Sequence, residues 1–444
     1  MPTAYHCELA WLGGGAAEED VLIVVDGERI TAVEPGVAAP PAAATRLPGL
    51  TIPGLANAHS HAFHRALRGR THAGPGSFWT WREQMYALAG VLDPDSYHQL
   101  ARATFAEMAL AGISVVGEFH YLHHGPGGVP YDDPNAMGAA LVAAAAEAGI
   151  RITLLDTCYL HGGIGVGLDD TQRRFADRDA LAWAARASDL GDALSDRPDA
   201  RIGAAIHSVR AVDPAAMEIV GSWARARGAP LHAHVSEQPA ENEQCAAAYG
   251  RTPTGLLADA GALSRAFTAV HATHLTDEDV GLLGAASCWC CFCPTTERDL
   301  ADGIGPSWAL RHAGARLTLG SDSHAVVDLL EEARALEVDE RLARGVRGSH
   351  DAVALLGMAT EQGHASLGWE EAGRIRAGGY ADLTTIGLDS VRTAGTRAED
   401  AVAVAVFAAT AADIRHVVIS GRVVVADGRH TSIDVVGALR QALV

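Results

Sequence analysis

No lysine occurs in the 444 residues, so all 34 basic side chains are arginine. Chemistry that needs a lysine amine is thereby excluded, whether a Schiff base or a carboxylated lysine bridging two metal ions. Positive charge is scarce overall. A formal net charge of −20 argues against nucleic acid, whose phosphates require clustered cations, and against anionic membrane surfaces. Long apolar runs are also missing: the stretch from Ala139 to Ala148 is alanine-rich and contains Glu147, unlike a membrane span. Met1 to Cys7 includes neither a basic nor an apolar segment, so no secretion signal is expected. Cysteine is limited to 7 residues, an odd set, with four packed into Cys288-Trp289-Cys290-Cys291-Phe292-Cys293. With no second cysteine pair nearby to complete a metal cluster, the expectation is a buried strand with reduced thiols in a cytoplasmic protein.

What is present is a globular composition, 48% hydrophobic and 20% charged, in a chain long enough for one large domain and a smaller one. Eight short apolar runs recur, most of them separated by helix-like segments. They are Leu50 to Ala58, Ile113 to Gly117, Ile150 to Asp156, Arg201 to Ile206, Pro230 to Ala233, Phe267 to Val270, Ser287 to Phe292 and Arg316 to Gly320. Strand alternating with helix in this way predicts an α/β fold, a parallel (β/α)₈ barrel of the TIM type over residues 51–373. The ends of the chain differ. Val21 to Val33 reads as a hairpin with an Asp-Gly turn, and His416 to Gly428 has the same character. These two hairpins are expected to pair with each other in a small β-sandwich domain built from residues 1–50 and 374–444. Pro35 to Pro48 and Gly373 to Gly379 would be the links.

Catalytic groups of such barrels sit at the C-terminal ends of the strands. His59-Ser60-His61 closes the first run, and its two imidazoles, two residues apart on a strand, point to one side. Later runs end in His207, His234, His271 and Asp322, and Glu237 lies three residues past His234. Three imidazoles and a carboxylate suit zinc with room for a bound water, and no lysine is present to bridge a second ion. On the fifth strand His234 is nearer the rim and is assigned to the metal, while His232 is expected inside the barrel. Glu237 can take a proton from metal-bound water and pass it to a leaving group. Arg210, in His207-Ser208-Val209-Arg210, suits either a substrate carboxylate or a surface carboxylate partner.

These residues resemble the amidohydrolase superfamily, in its one-metal deaminase branch, over nearly the whole chain. The specific signatures are Ala58 to Phe63, Phe78-Trp79-Thr80-Trp81-Arg82-Glu83, Gly117 to Tyr121, His207 to Arg210, His234 to Gln238, Cys293 to Leu300 and Gly320 to Ser323. The resemblance implies one zinc ion per subunit, with iron(II) as the other candidate, held by His59, His61, His234 and Asp322. It makes Glu237 the proton shuttle, gives His271 the water-orienting role, and leaves Asp322 able to accept a proton. Tyr121, His207 and Arg210 would hold carboxylates of a small-molecule substrate, together with His64, where the family often has glutamine. The implied reaction is hydrolytic deamination of N-formimino-L-glutamate to N-formyl-L-glutamate and ammonia, within histidine degradation, by a homodimer. A deaminase or chlorohydrolase of an aromatic base is the alternative, and a non-catalytic scaffold of the same fold is the second. Trp79 to Trp81 is the candidate for a loop closing over substrate.

Overall fold

The computed structural model describes residues 2–72 and 78–443; Met1, residues 73–77 and Val444 lie outside the description. Four strands come first: β1 (Thr3–Ala10), β2 (Glu18–Asp26), β3 (Arg29–Glu34) and β4 (Thr45–Pro53). The barrel strands follow as β5 (Leu55–Ser60), β6 (Ile113–His120), β7 (Arg151–Cys158), β8 (Ala200–Ile206), β9 (Leu231–Val235), β10 (Phe267–His271), β11 (Trp289–Phe292) and β12 (Arg316–Leu319). The chain ends with β13 (Leu383–Ile386), β14 (Ile414–Ile419), β15 (Arg422–Ala426) and β16 (Arg429–His430).

Strands β5 to β12 form one sheet in sequential order, every pair parallel. The sheet closes where Ser60 bridges to Asp322 and the His59 carbonyl accepts from Ser321 N at 3.1 Å and Asp322 N at 3.0 Å. This is the expected (β/α)₈ barrel. Two of its helices start on short polar caps: Asp93 caps Pro94–Leu110, and Asp213 caps Pro214–Arg227, which Gly228 ends in the left-handed conformation. Strands β5, β6 and β7 are buried along their whole length, on both faces, which is why they read as mostly apolar runs. Cys291 and Cys293 pack with Ala58 and Val270 as small hydrophobes, and all seven cysteines are buried and unpaired. No helix among the described residues is long and apolar enough to cross a membrane.

The second sheet draws its strands from both ends of the chain, in the order β16-β15-β14-β13-β4-β1-β2-β3. It encloses its own apolar core, including Tyr5, Val21, Ile23, Leu47, Leu383 and Val418. The two hairpins, β2–β3 and β14–β15, share this sheet without pairing strand to strand, because β13, β4 and β1 stand between them. They meet at their turns, where a Cβ on Gly421 would run into the Gly27 carbonyl oxygen. Two further readings are corrected. Residues 45–48, expected in a link, already belong to β4, and the single run from Leu50 to Ala58 breaks at Gly54. A Cβ there would lie 2.5 Å from Ser114 Oγ and 3.1 Å from Asp382 Cβ, so only glycine lets the chain pass from one sheet to the other. Asp382, before β13, pairs with the buried Arg151 of β7 and fixes the terminal sheet against the foot of the barrel.

Candidate metal and catalytic site

The rim brings the strand-end residues into one cluster. His59 Nε2 and His61 Nε2 each lie 3.4 Å from Asp322 Oδ1, and His234 Nε2 lies 3.2 Å from His59 Nε2. Tetrahedral coordination with bonds of about 2.0–2.1 Å sets donor atoms about 3.3–3.4 Å apart, close to these three separations, so the donor set suits a zinc-sized ion. The imidazole orientations agree. His61 Nδ1 donates to the Phe119 carbonyl at 2.9 Å and His234 Nδ1 to the His207 carbonyl at 2.9 Å. Each bond places the proton on Nδ1 and leaves the Nε2 lone pair facing the cluster. Several residues at this rim adopt left-handed backbone without being glycine: Ser236 (φ 53°), His271 (φ 67°), Asp322 (φ 42°) and His324 (φ 57°). Such conformations persist where surrounding bonds over-determine them and concentrate at functional sites.

Glu237 lies beside the cluster, 3.7 Å from His271 Nε2 through one oxygen and 3.5 Å from Arg210 through the other. His271 Nε2 is 3.9 Å from Asp322 Oδ2, and its Nδ1 meets Glu297 Oε1 at 3.3 Å. Burial works to lower the His271 pKa, but Glu237, the Glu297 hydrogen bond and Asp322 outweigh it and hold the imidazole well above its ordinary range. For Asp322, burial works upward, while the His59 hydrogen bond and the neighbouring imidazoles hold the carboxylate well below its usual range. Glu297, which also accepts from Cys293 N at 2.8 Å, was not singled out from the sequence. Its position just after β11 is itself a strand-end signal.

A pocket open to solvent, with about 670 Å³ of empty space counting its mouth, leads to this cluster. All four residues expected to contact substrate, His64, Tyr121, His207 and Arg210, line it. His64 Nε2 and Tyr121 OH are 3.0 Å apart and partner each other. Arg210 is not a surface arginine. Its side chain, only 11% exposed, lies beside Glu237, and its Nε is 3.8 Å from Glu241, whose carboxyl is pushed up to about 7 by burial against the pull of Arg210. His232 is fully buried, turned toward the Ser366 carbonyl, and is absent from the cavity wall. Trp79 to Trp81 is not a loop: it lies in the first turn of a helix, Phe78–Val91, that brings Trp81, Arg82, Met85 and Tyr86 to the cavity. Arg82, which the sequence offers only as part of the signature Phe78 to Glu83, is thus a second cation facing the same space.

Residues 50–424 match the sequence profile of the amidohydrolase family, and the chain belongs to that family. The chain is 34% identical to formimidoylglutamate deiminase of Pseudomonas aeruginosa over 398 residues, covering 87% of each protein. It is 30% identical to 5-methylthioadenosine/S-adenosylhomocysteine deaminase of Halobacterium salinarum, covering 88% of this chain and 85% of that one. Among solved structures, an amidohydrolase from Brucella melitensis superimposes with a TM-score of 0.92 at 32% identity, covering 99% of both chains.

Proposed function

We propose that this protein is a metal-dependent deaminase acting on N-formimino-L-glutamate, producing N-formyl-L-glutamate and ammonia as a step of histidine degradation. The observation that carries this reading is the placement of Arg210 and Arg82 in one cavity with Glu237 and the four-donor cluster. A substrate that is cationic at its formimino end and anionic at its carboxylates matches that division of charge. The likeness to a formimidoylglutamate deiminase supports it.

In this reading His59, His61, His234 and Asp322 hold one divalent ion, zinc ahead of iron(II). Held there, the ion supplies Lewis acidity and lowers the pKa of water from about 16 toward about 7. Glu237 receives the proton of the attacking water and delivers it to the departing nitrogen. His271, braced by Glu297, orients that water. Arg210, with His207, Tyr121, His64 and Arg82, binds the carboxylates and sets the formimino carbon over Glu237. Water adds to that carbon, its C–N bond to ammonia breaks, and the formyl oxygen comes from the water. The buried, unpaired thiols fit a reducing, cytoplasmic setting. A homodimer remains part of the proposal on the family resemblance alone.

The aromatic lining, Phe78, Trp81, Tyr86, Tyr159 and Phe175, favours a second reading, a purine-like ring as substrate. Ammonia release from formiminoglutamate, measured beside S-adenosylhomocysteine, adenosine and guanine, separates the two. The proposal expects turnover of the glutamate derivative alone. Activity confined to the purines would reverse the assignment.

A further inference from the structure

Beneath the donor cluster runs a buried chain of hydrogen bonds that none of the roles above uses. Asn57 Nδ2 donates to Ser321 Oγ at 2.7 Å, and Ser321 N donates back to Asn57 Oδ1 at 2.9 Å. Ser321 Oγ meets His324 Nδ1 at 2.9 Å, His324 Nε2 meets Ser60 Oγ at 3.2 Å, and Ser60 Oγ donates to Glu118 Oε2 at 2.6 Å. The other carboxylate oxygen, Oε1, accepts from Ala62 N at 2.6 Å. All five side chains are buried.

One direction satisfies every member. Ser321 Oγ accepts from Asn57, so it donates to His324 Nδ1; the His324 proton then sits on Nε2 and goes to Ser60, which donates to Glu118. The reverse order, with a protonated Glu118 donating to Ser60, would leave Ser321 Oγ accepting twice with no group to receive its own proton. Burial pushes the Glu118 carboxyl up to about 8, while the bonds that both its oxygens accept, from Ser60 Oγ and Ala62 N, favour the ionised form. The chain interleaves with the donors: Asn57, Ser60 and Ala62 alternate with His59 and His61, while Ser321 and His324 flank Asp322. It crosses the seam where β5 meets the segment after β12.

We propose that Glu118 is a positioning residue for the metal site: as terminal acceptor of this chain, it sets the geometry of His59, His61 and Asp322 across the seam that closes the barrel. This rests on the reading of those residues, with His234, as metal ligands. Glu118→Gln tests it well, because an amide cannot accept at both oxygens. With its nitrogen toward Ala62 N, donor faces donor; with its nitrogen toward Ser60, the chain is driven backwards.

The full-length protein is loaded with cobalt(II), and affinity is read by chelator competition and site geometry by the visible cobalt spectrum. Glu118→Gln and Ser60→Ala should each bind cobalt about 10–100-fold more weakly than the parent and shift or weaken its bands. The double variant should lose little more than either single one, since both break one chain. Wild-type affinity and spectrum in both single variants overturn the proposal, even if their melting points fall. Should Glu118→Gln fail to fold, Ser60→Ala decides alone by the same readouts. A parent protein that takes up no cobalt, or keeps it after His234→Ala, defeats the ligand reading instead.

Discussion

The Arg210 guanidinium lies 3.5 Å from the Glu237 carboxylate, so the group placed to bind the substrate's acid touches the group placed to move its proton. A carboxylate arriving at Arg210 competes with Glu237 for the same cation. Arg210→Met should therefore lower kcat/KM on formiminoglutamate by about 30- to 1000-fold, a loss of about 2–4 kcal/mol, with metal content unchanged. Steady-state kinetics with metal analysis of the same preparation check this; undiminished kcat/KM would remove Arg210 from the pocket.

Glu237→Gln keeps the size of the side chain and removes its basicity. Metal binding should persist while kcat falls about 10²- to 10⁴-fold. A variant that turns over at the parent rate would end the shuttle assignment.

Chelation should abolish turnover, and zinc should restore it. The ion should also stabilise the fold, by about 2.7 kcal/mol at a hundred-fold excess over its Kd. Calorimetry with and without zinc reads this, and a melting point indifferent to zinc would count against a folded-state site.

Two buried histidines away from the site make stability depend on acid. His350 bonds Ser307 Oγ at 2.9 Å, and His364 lies 3.1 Å from Ser114 Oγ; burial lowers each to about 4 from an ordinary value of 6.5. Above about pH 6.5 both are neutral folded or unfolded and contribute nothing. Between about 6.5 and 4 the unfolded chain binds protons that the folded one refuses, so stability falls as pH falls, by about 3 kcal/mol per histidine. Urea unfolding across that window should show the slope, and His350→Gln should flatten it. An unchanged slope in that variant would exclude His350 as a source.

At Gly54 a methyl group would sit 2.7 Å from Ser114 Cβ. Gly54→Ala should cost about 1–3 kcal/mol, read as a lowered urea midpoint, since neither Ser114 nor Asp382 can retreat from a packed junction. A midpoint equal to the parent's would show that the junction relaxes freely.

The barrel and its donor residues were legible because both are local patterns. His59, His61, His234, His271 and Asp322 all sit where an apolar run ends, and the fold puts every run's end on one rim. Gly54 hid its break because the sequence stays apolar through two sheets. The order of strands in the terminal sheet depends on pairings such as β4 with β13, far apart in sequence and invisible to any window. Arg82, Glu241 and Glu297 sit on helices that follow or precede the strands, and their use depends on neighbours from other segments. The Trp79 to Trp81 helix was obscured by aromatics that resemble a flap.

The strand carrying His59 is reached from β4, an inner member of the terminal sheet with β1 on one side and β13 on the other. Both tails of the polypeptide therefore brace the centre from behind. Clipping the C-terminal tail back past β13 would expose a raw edge on β4 and slacken the anchorage of His59, silencing the chemistry at a distance from it.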